Sequence, residues 1–188
     1  MQKNNIEYLN RKSWAEISRE ERVFNAELYF DIRRNPFPFL ELFEINYGNY
    51  LGIGFEVCFY RDLLKEYKIE INKTNFPKKR TFDLLIFSKD NLYIIETKSQ
   101  QGFRNKQIGR FSDKENINKM FVQINSKKEN DFKIPNVFIF SIISSIYSPK
   151  EKIKKEFDKI KTWNDIFKIY KNKIYKRADL IYNDNKKT

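Results

Sequence analysis

The chain contains no histidine, and that absence removes a large body of chemistry. Without imidazole there is no Ser–His nucleophile pair, no His-ligated zinc and no hydrolase whose base is a histidine. One cysteine, Cys58, excludes an internal disulfide and a thiolate metal cluster, and reads as a small core residue. Glycine and proline are scarce, at five each, and the chain shows no Gly/Ser linker, no repeat and no domain boundary. The longest apolar run, Val137 to Ile143 with Ser141 inside it, is far too short to span a bilayer. No apolar segment follows the charged Met1–Asn5 stretch, so no signal peptide is expected and the reading is a soluble, cytoplasmic protein with no membrane partner. Hydrolytic chemistry in such a chain has to run on carboxylates, lysine and a hard metal ion.

What is present is a folding composition. With 188 residues, 40% of them hydrophobic and 16% aromatic, the chain is long enough for a substantial core, and a single domain over residues 1–188 is expected. The formal charge of +12 is unevenly placed. Residues 1–57 carry 7 Lys and Arg against 9 Asp and Glu, residues 58–143 carry 17 against 10, and residues 144–188 carry 13 against 6. A basic middle and tail suits a polyanion such as DNA. The composition is also that of a chain rich in Lys, Asn, Ile, Phe and Tyr, in which basicity alone singles out no partner.

Periodicity outlines the elements. Ser18 to Glu21 forms a capping-box sequence, and Val23, Phe24, Leu28 and Ile32 continue it as a helix to about Arg34. A short helix is predicted from Phe39 to Ile45. Ile53, Val57, Tyr60, Leu64 and Tyr67 recur at helical spacing and predict a helix from about Gly54 to Tyr67. A short strand at Lys68–Ile71 and a basic loop at Pro77–Arg80 lead to a hairpin. Phe111 to Ser126 reads as a helix with Ile117, Met120, Phe121 and Ile124 on one face, and Val137 to Ile143 as a strand covered on both sides. Two basic amphipathic helices close the chain, one using Ile153, Phe157 and Ile160, the other Trp163, Ile166, Phe167 and Tyr170. The fold class is therefore α/β: a mixed sheet flanked by helices, with N-terminal helices in 1–50, a core over about 54–143 and C-terminal helices over 149–182.

The hairpin carries the chemistry. It reads FDLLIF, then Ser88-Lys-Asp-Asn91, then LYIIETK. Alternation along a strand puts Glu96 and Lys98 on one face and Thr97 on the other. Closing the turn over Lys89-Asp90 makes opposed positions sum to 179, which sets Asp83 across from Glu96 and Thr81 across from Lys98. Two carboxylates driven together in an apolar hairpin repel each other unless something compensates. A divalent cation held by oxygen ligands would do so. The spacing E-x-K is itself common here, as Glu66-Tyr-Lys68 and the related Asp131-Phe-Lys133 show. The apolar run Leu92–Ile95 and the partner acid Asp83 set Glu96-Thr97-Lys98 apart.

An aspartate followed 13 residues later by E-x-K on the adjoining strand, after a predicted helix bearing Glu56, resembles the PD-(D/E)XK nuclease superfamily. The resemblance covers about Gly54 to Ile143 and implies a restriction endonuclease-like core of order αβββαβ. It implies Mg2+, for which Mn2+ can substitute, held by Asp83, Glu96 and the Thr97 carbonyl, with Glu56 completing the site from the first core helix. Lys98 would orient or help deprotonate the attacking water, and Gln100 would continue the face of Glu96 and Lys98. The proline of the signature is replaced by Phe82. The activity implied is phosphodiester hydrolysis in DNA, leaving 5′-phosphate and 3′-hydroxyl ends. A restriction or defence endonuclease is favoured, with a homodimer for double-strand cutting and no small-molecule cofactor. A Holliday-junction or repair nuclease of the same fold is the nearest alternative, and a non-catalytic nucleic-acid-binding module the next. A purely structural protein would leave the two hairpin acids without a purpose.

Overall fold

The computed structural model describes residues 20–64, 81–103, 114–127 and 135–184. The predicted strand Lys68–Ile71 and the basic loops at Pro77–Arg80 and Arg104–Arg110 lie outside the described residues, as does Ser18; the capping box expected there is replaced by a helix start at Glu21, after a Glu20 whose side chain makes no capping bond.

Helix α1, Glu21–Arg34, buries Phe24, Leu28 and Ile32 at the spacing that predicted it. It stops at Asn35, which is extended (φ −146°, ψ 90°), as the residue before Pro36 tends to be. A short helix α2 covers Phe37–Leu42, close to the predicted segment but starting two residues earlier. A 3-10 turn at Tyr47–Asn49 then delivers the chain into strand β1, Tyr50–Val57.

That strand corrects the predicted Gly54–Tyr67 helix. Ile53 and Phe55 share one packed face of a strand, and Gly52 and Gly54 weaken a helix by about 1 kcal/mol each. Only the following turn, Phe59–Leu64, is helical, with π-type hydrogen bonding. Cys58 between them is buried, as expected.

Strands β2 (Phe82–Ser88) and β3 (Asn91–Lys98) form the predicted hairpin over Lys89-Asp90. Their register runs from Leu84–Ile95 to Phe87–Leu92, which is the predicted sum of 179. Helix α3, Lys114–Lys127, carries the chain back to strand β4, Asn136–Ile143. Helix α3 is close to its predicted span, with Ile117 and Phe121 buried.

The next segment departs from expectation. The predicted helix on Ile153, Phe157 and Ile160 shrinks to α4, Glu151–Lys154, and Ile160 enters a fifth strand, β5, Lys159–Thr162. Helices α5 (Trp163–Tyr170) and α6 (Lys173–Asp184) complete the described chain. Thr162 and Asp165 form a capping box at the start of α5, and Lys171 ends it in the left-handed conformation (φ 58°).

The five strands lie in the order β1-β2-β3-β4-β5. The β1–β2 and β2–β3 pairs are antiparallel, and β3–β4 and β4–β5 are parallel. The sheet is covered on both faces. Phe24, Leu28, Leu84, Ile86, Ile95, Phe140, Trp163 and Tyr175 pack on the side of α1, α2, α5 and α6. Leu85, Leu92, Ile94, Ile117, Phe121 and Ile139 pack on the side of α3. Strand β4 feeds both cores, as predicted for a strand with no solvent face. Among the described residues no helix is long and apolar enough to cross a membrane.

Candidate functional site

One end of the sheet gathers the last residues of β1, β3, β4 and β5 and the first of β2. The alternation that fills the two cores breaks there. Leu84 and Ile86 pack toward α1 and Leu85 toward α3, yet Phe82 joins Leu85. On β1, Ile53 and Phe55 pack toward α1 while Val57 packs with Phe82. The break on β1 has a local cause: Glu56 takes a left-handed backbone conformation, φ 47°, which reverses the face of the following residue. Phe55 pairs with Leu84 and Val57 with Phe82, so Glu56 lies across from Asp83. Both irregularities flank the hairpin acids.

The β2–β3 ladder ends at Leu84–Ile95. One residue further, Asp83 closes the strand end with its side chain: Oδ2 accepts from the Thr97 N–H at 2.8 Å. The Thr97 hydroxyl stands 3.0 Å from the same oxygen and 2.8 Å from Asn25 Oδ1 on α1, with one hydrogen to give. Lys98 follows, and its Nζ donates to Glu21 Oε1 at 2.7 Å. The other oxygen of Glu21 accepts from the Ser99 N–H at 3.0 Å. Glu21 is thus a clasp over the end of β3, supplied by the first turn of α1. The Lys98 carbonyl in turn accepts from Trp163 Nε1 at 3.2 Å, which ties the strand end to α5.

The charges act on one another. Burial pushes the Glu21 carboxyl above the usual range, with Lys98 pulling against it. Burial likewise pushes Asp83 up, against Lys98 and the two Thr97 donors, and the charge of Glu56 adds to the rise. For Lys98 burial works downward, but Glu21, Asp83 and Glu96 together outweigh it and hold its pKa above the ordinary lysine value. Lys98 therefore holds its proton more firmly than an ordinary lysine, bonded to Glu21 and within the fields of Asp83 and Glu96.

The predicted site residues fall as follows. Asp83, expected across from Glu96, instead bonds Thr97 through its N–H and hydroxyl, one residue beyond the end of the ladder at Leu84–Ile95, and lies within the electrostatic field of Lys98. Glu96 is buried on β3, within electrostatic reach of Lys98. Glu56 is at the end of β1, not on a helix, and its carboxylate binds Arg22 Nη2 at 2.5 Å. Gln100 lies in the bend after β3, so it does not extend the strand face of Glu96 and Lys98. Glu21 was missed. In the sequence it is one of several acids at a helix start, and its contact with Lys98 spans 77 positions, so no local pattern could mark it.

Among the described residues no three acidic, histidine or cysteine side chains form a metal cage. A Mg2+ ion does not require one, since it is commonly held by one or two carboxylates with water and phosphate oxygens completing the octahedron. The backbone supports that fit. Successive peptide groups along a strand face opposite neighbours. The Glu96 carbonyl is occupied on the β4 side by Ser141 Oγ at 3.0 Å, and the Thr97 N–H is on the β2 side with Asp83. The Thr97 carbonyl therefore also faces β2 and Asp83. Of the expected oxygen donors, Asp83 and the Thr97 backbone are in contact; Glu96, buried on β3, would have to complete the set.

No protein-family model matches the chain, and no curated protein matches its sequence.

Proposed function

We propose that the protein is a Mg2+-dependent DNA endonuclease of the PD-(D/E)XK type, acting in restriction or defence. The observation that carries this reading is the Lys98 ammonium, bonded to Glu21 and within the fields of Asp83 and Glu96, at a sheet end where the Thr97 backbone faces Asp83. The described element order supports it as well. Leaving aside the short α2 and the helical turn Phe59–Leu64, helix α1, strands β1 to β3, helix α3 and strand β4 come in the order αβββαβ, with α1 and not the segment 54–67 as the first helix.

Asp83, Glu96 and the Thr97 carbonyl would hold the metal, which when bound supplies Lewis-acid polarisation of the scissile phosphate and a water of lowered pKa. The protein's own part is positional and electrostatic. Lys98 donates hydrogen bonds toward the phosphate oxygens or the attacking water and opposes the negative charge that grows as the phosphorus becomes five-coordinate. Glu21 fixes the direction of that ammonium. Thr97 fixes the carboxylate of Asp83, and Trp163 anchors the backbone from which Lys98 projects. The basic middle and tail of the chain supply long-range attraction for a polyanion.

The test is cleavage of supercoiled plasmid with Mg2+ and with EDTA, followed by sequencing of the ends. Wild-type protein should nick or linearise plasmid in Mg2+ alone and leave 5′-phosphates. Asp83→Asn and Lys98→Ala should lose this activity while keeping the wild-type circular dichroism spectrum. Undiminished cutting by either variant refutes the assignment. Cutting confined to four-way junctions moves the reading to a resolvase, and tight binding without turnover moves it to a non-catalytic module.

A further inference from the structure

Beside the carboxylates stands a second charged cluster. Glu56 adopts φ 47°, a conformation that glycine, asparagine or aspartate tolerates better than glutamate and that costs a long side chain about 1 kcal/mol or more. The reversal it creates lets Val57 pack with Phe59 and Phe82, and that burial offsets the backbone cost. A glycine would give the same reversal without the strain. What glutamate adds over glycine is a carboxylate, and that carboxylate holds Arg22 Nη2 at 2.5 Å.

The glutamate is itself fixed. Its carbonyl accepts from Arg61 Nη2 at 2.8 Å. Arg61 is locked to Asp62 through Nε and Nη2 at 2.6 and 2.8 Å, and Asp62 Oδ2 accepts from the Cys58 N–H at 2.8 Å. A chain of bonds thus holds the reversed backbone at Glu56, and the glutamate holds Arg22. Arg22 is 71% exposed against 30% for Glu56, so its guanidinium lies at the surface with the glutamate beneath it. It is the immediate neighbour of Glu21, which grips Lys98, and its partner Glu56 acts electrostatically on Asp83. A pair this exposed contributes about 0–1 kcal/mol to stability, which is a poor return for a strained glutamate braced by three further residues.

We infer that Arg22 is a phosphate-binding residue and Glu56 the rack that holds it in place. The ligand is a backbone phosphate of the nucleic acid, next to the one presented to Asp83 and Lys98. The planar fork of arginine suits two oxygens of such a group, and holding the guanidinium in advance reduces the ordering lost on binding. This assigns Glu56 a positioning role in substrate binding, apart from the metal, and it rests on the nuclease reading only for the identity of the polyanion.

The experiment measures binding separately from cutting. In an Asp83→Asn background, the affinity for a fluorescent DNA duplex is followed by anisotropy from low to moderate NaCl. Adding Arg22→Ala should weaken binding several-fold at low salt and lower the slope of log K against log [NaCl] by about 0.9, the value of one phosphate contact. Arg22→Lys, which keeps the charge, should retain most of the slope. Glu56→Gln should leave the slope within error while weakening binding less than Arg22→Ala does. An unchanged affinity and slope in Arg22→Ala overturns the inference, as does a failure of the parent to bind any duplex. Plasmid cleavage by wild-type protein is scored independently. Cutting with no Arg22 effect leaves the nuclease reading standing, and an Arg22 effect without cutting leaves the phosphate contact standing.

Discussion

Replacing Trp163 by phenylalanine probes how the C-terminal helices hold the site. Trp163 is fully buried at the start of α5, stacked on Tyr175 (centroids 6.0 Å apart, 12° between planes) and edge-on to Phe24 at 6.1 Å. Its indole N–H bonds the Lys98 carbonyl. Phenylalanine keeps an aromatic body but loses about 40 Å3, which at about 24 cal/mol per Å3 is about 1 kcal/mol if the gap stays open. Leaving the buried Lys98 carbonyl without that donor costs about 1 kcal/mol more. The total of about 2 kcal/mol should lower Tm by about 4–8 °C in a chain of this size. Differential scanning calorimetry reads this directly. If the protein cleaves DNA as proposed, kcat should also fall, because the backbone that carries Lys98 loses its anchor. A Tm shift under 1 °C would refute the claim that this indole pins the end of β3, and so would an unaltered kcat.

Further outcomes follow from other contacts. Tyr170 and Tyr175 donate to the Asn35 carbonyl at 3.0 Å and to Asp31 at 2.6 Å, and burial first, with Asp31 second, drives both phenols well above the ordinary tyrosine range. A raised folded pKa gives stability that is complete below the unfolded value of about 10 and is lost as pH rises beyond it. Absorbance titration should therefore show these two phenols ionising only with alkaline unfolding, and a reversible native titration of every tyrosine would contradict this. Asp165 is held below the usual carboxylate range: burial acts upward, but the Thr162 hydroxyl and N–H and Lys168 prevail. Its contribution is present above the unfolded pKa and fades as pH falls through the lowered one. Asp165→Ala should cost about 1 kcal/mol near neutrality, with the difference shrinking in acid, and denaturant melts at both ends of that range check it. A Cβ on Gly102 would lie 2.5–2.9 Å from the Tyr147 ring and hydroxyl, the hydroxyl that accepts from the Phe103 N–H. Gly102→Ala should therefore destabilise by about 1–3 kcal/mol, measurable as a lower urea midpoint.

The parts of the fold that were legible are those set by local rules. The β2–β3 register followed from period-two alternation and a two-residue turn, and α1 from Phe24, Leu28 and Ile32. Strand β1 was misread because Ile53, Val57, Tyr60 and Leu64 also satisfy helical spacing. Gly52 and Gly54 alternating with Ile53 and Phe55 are the better signal, since both glycines weaken a helix. Strand β5 could not be seen locally: four residues, Lys159–Thr162, become a strand because β4 offers them an edge. The site divides the same way. Asp83, Glu96 and Lys98 share a hairpin, but counting set Asp83 across from Glu96, whereas its carboxylate bonds Thr97. Glu21 and Trp163 reach Lys98 only through tertiary packing, and the role of Glu56 depends on a backbone reversal that no residue pattern announces. Gln100 was placed by continuing a strand that ends at Lys98.

The most direct measurement is single-turnover cleavage of an end-labelled DNA duplex in Mg2+ by wild-type protein and by Glu96→Gln, with Tm recorded for both. Glu96 is buried, so its amide isostere preserves shape while removing the charge proposed to hold the metal. The expected result is a rate loss of at least about a thousandfold, equivalent to about 4 kcal/mol in the barrier, in a protein whose Tm stays within a few degrees of wild type. A Glu96→Gln rate within a few-fold of wild type, or wild-type cutting that persists in EDTA, would contradict the account.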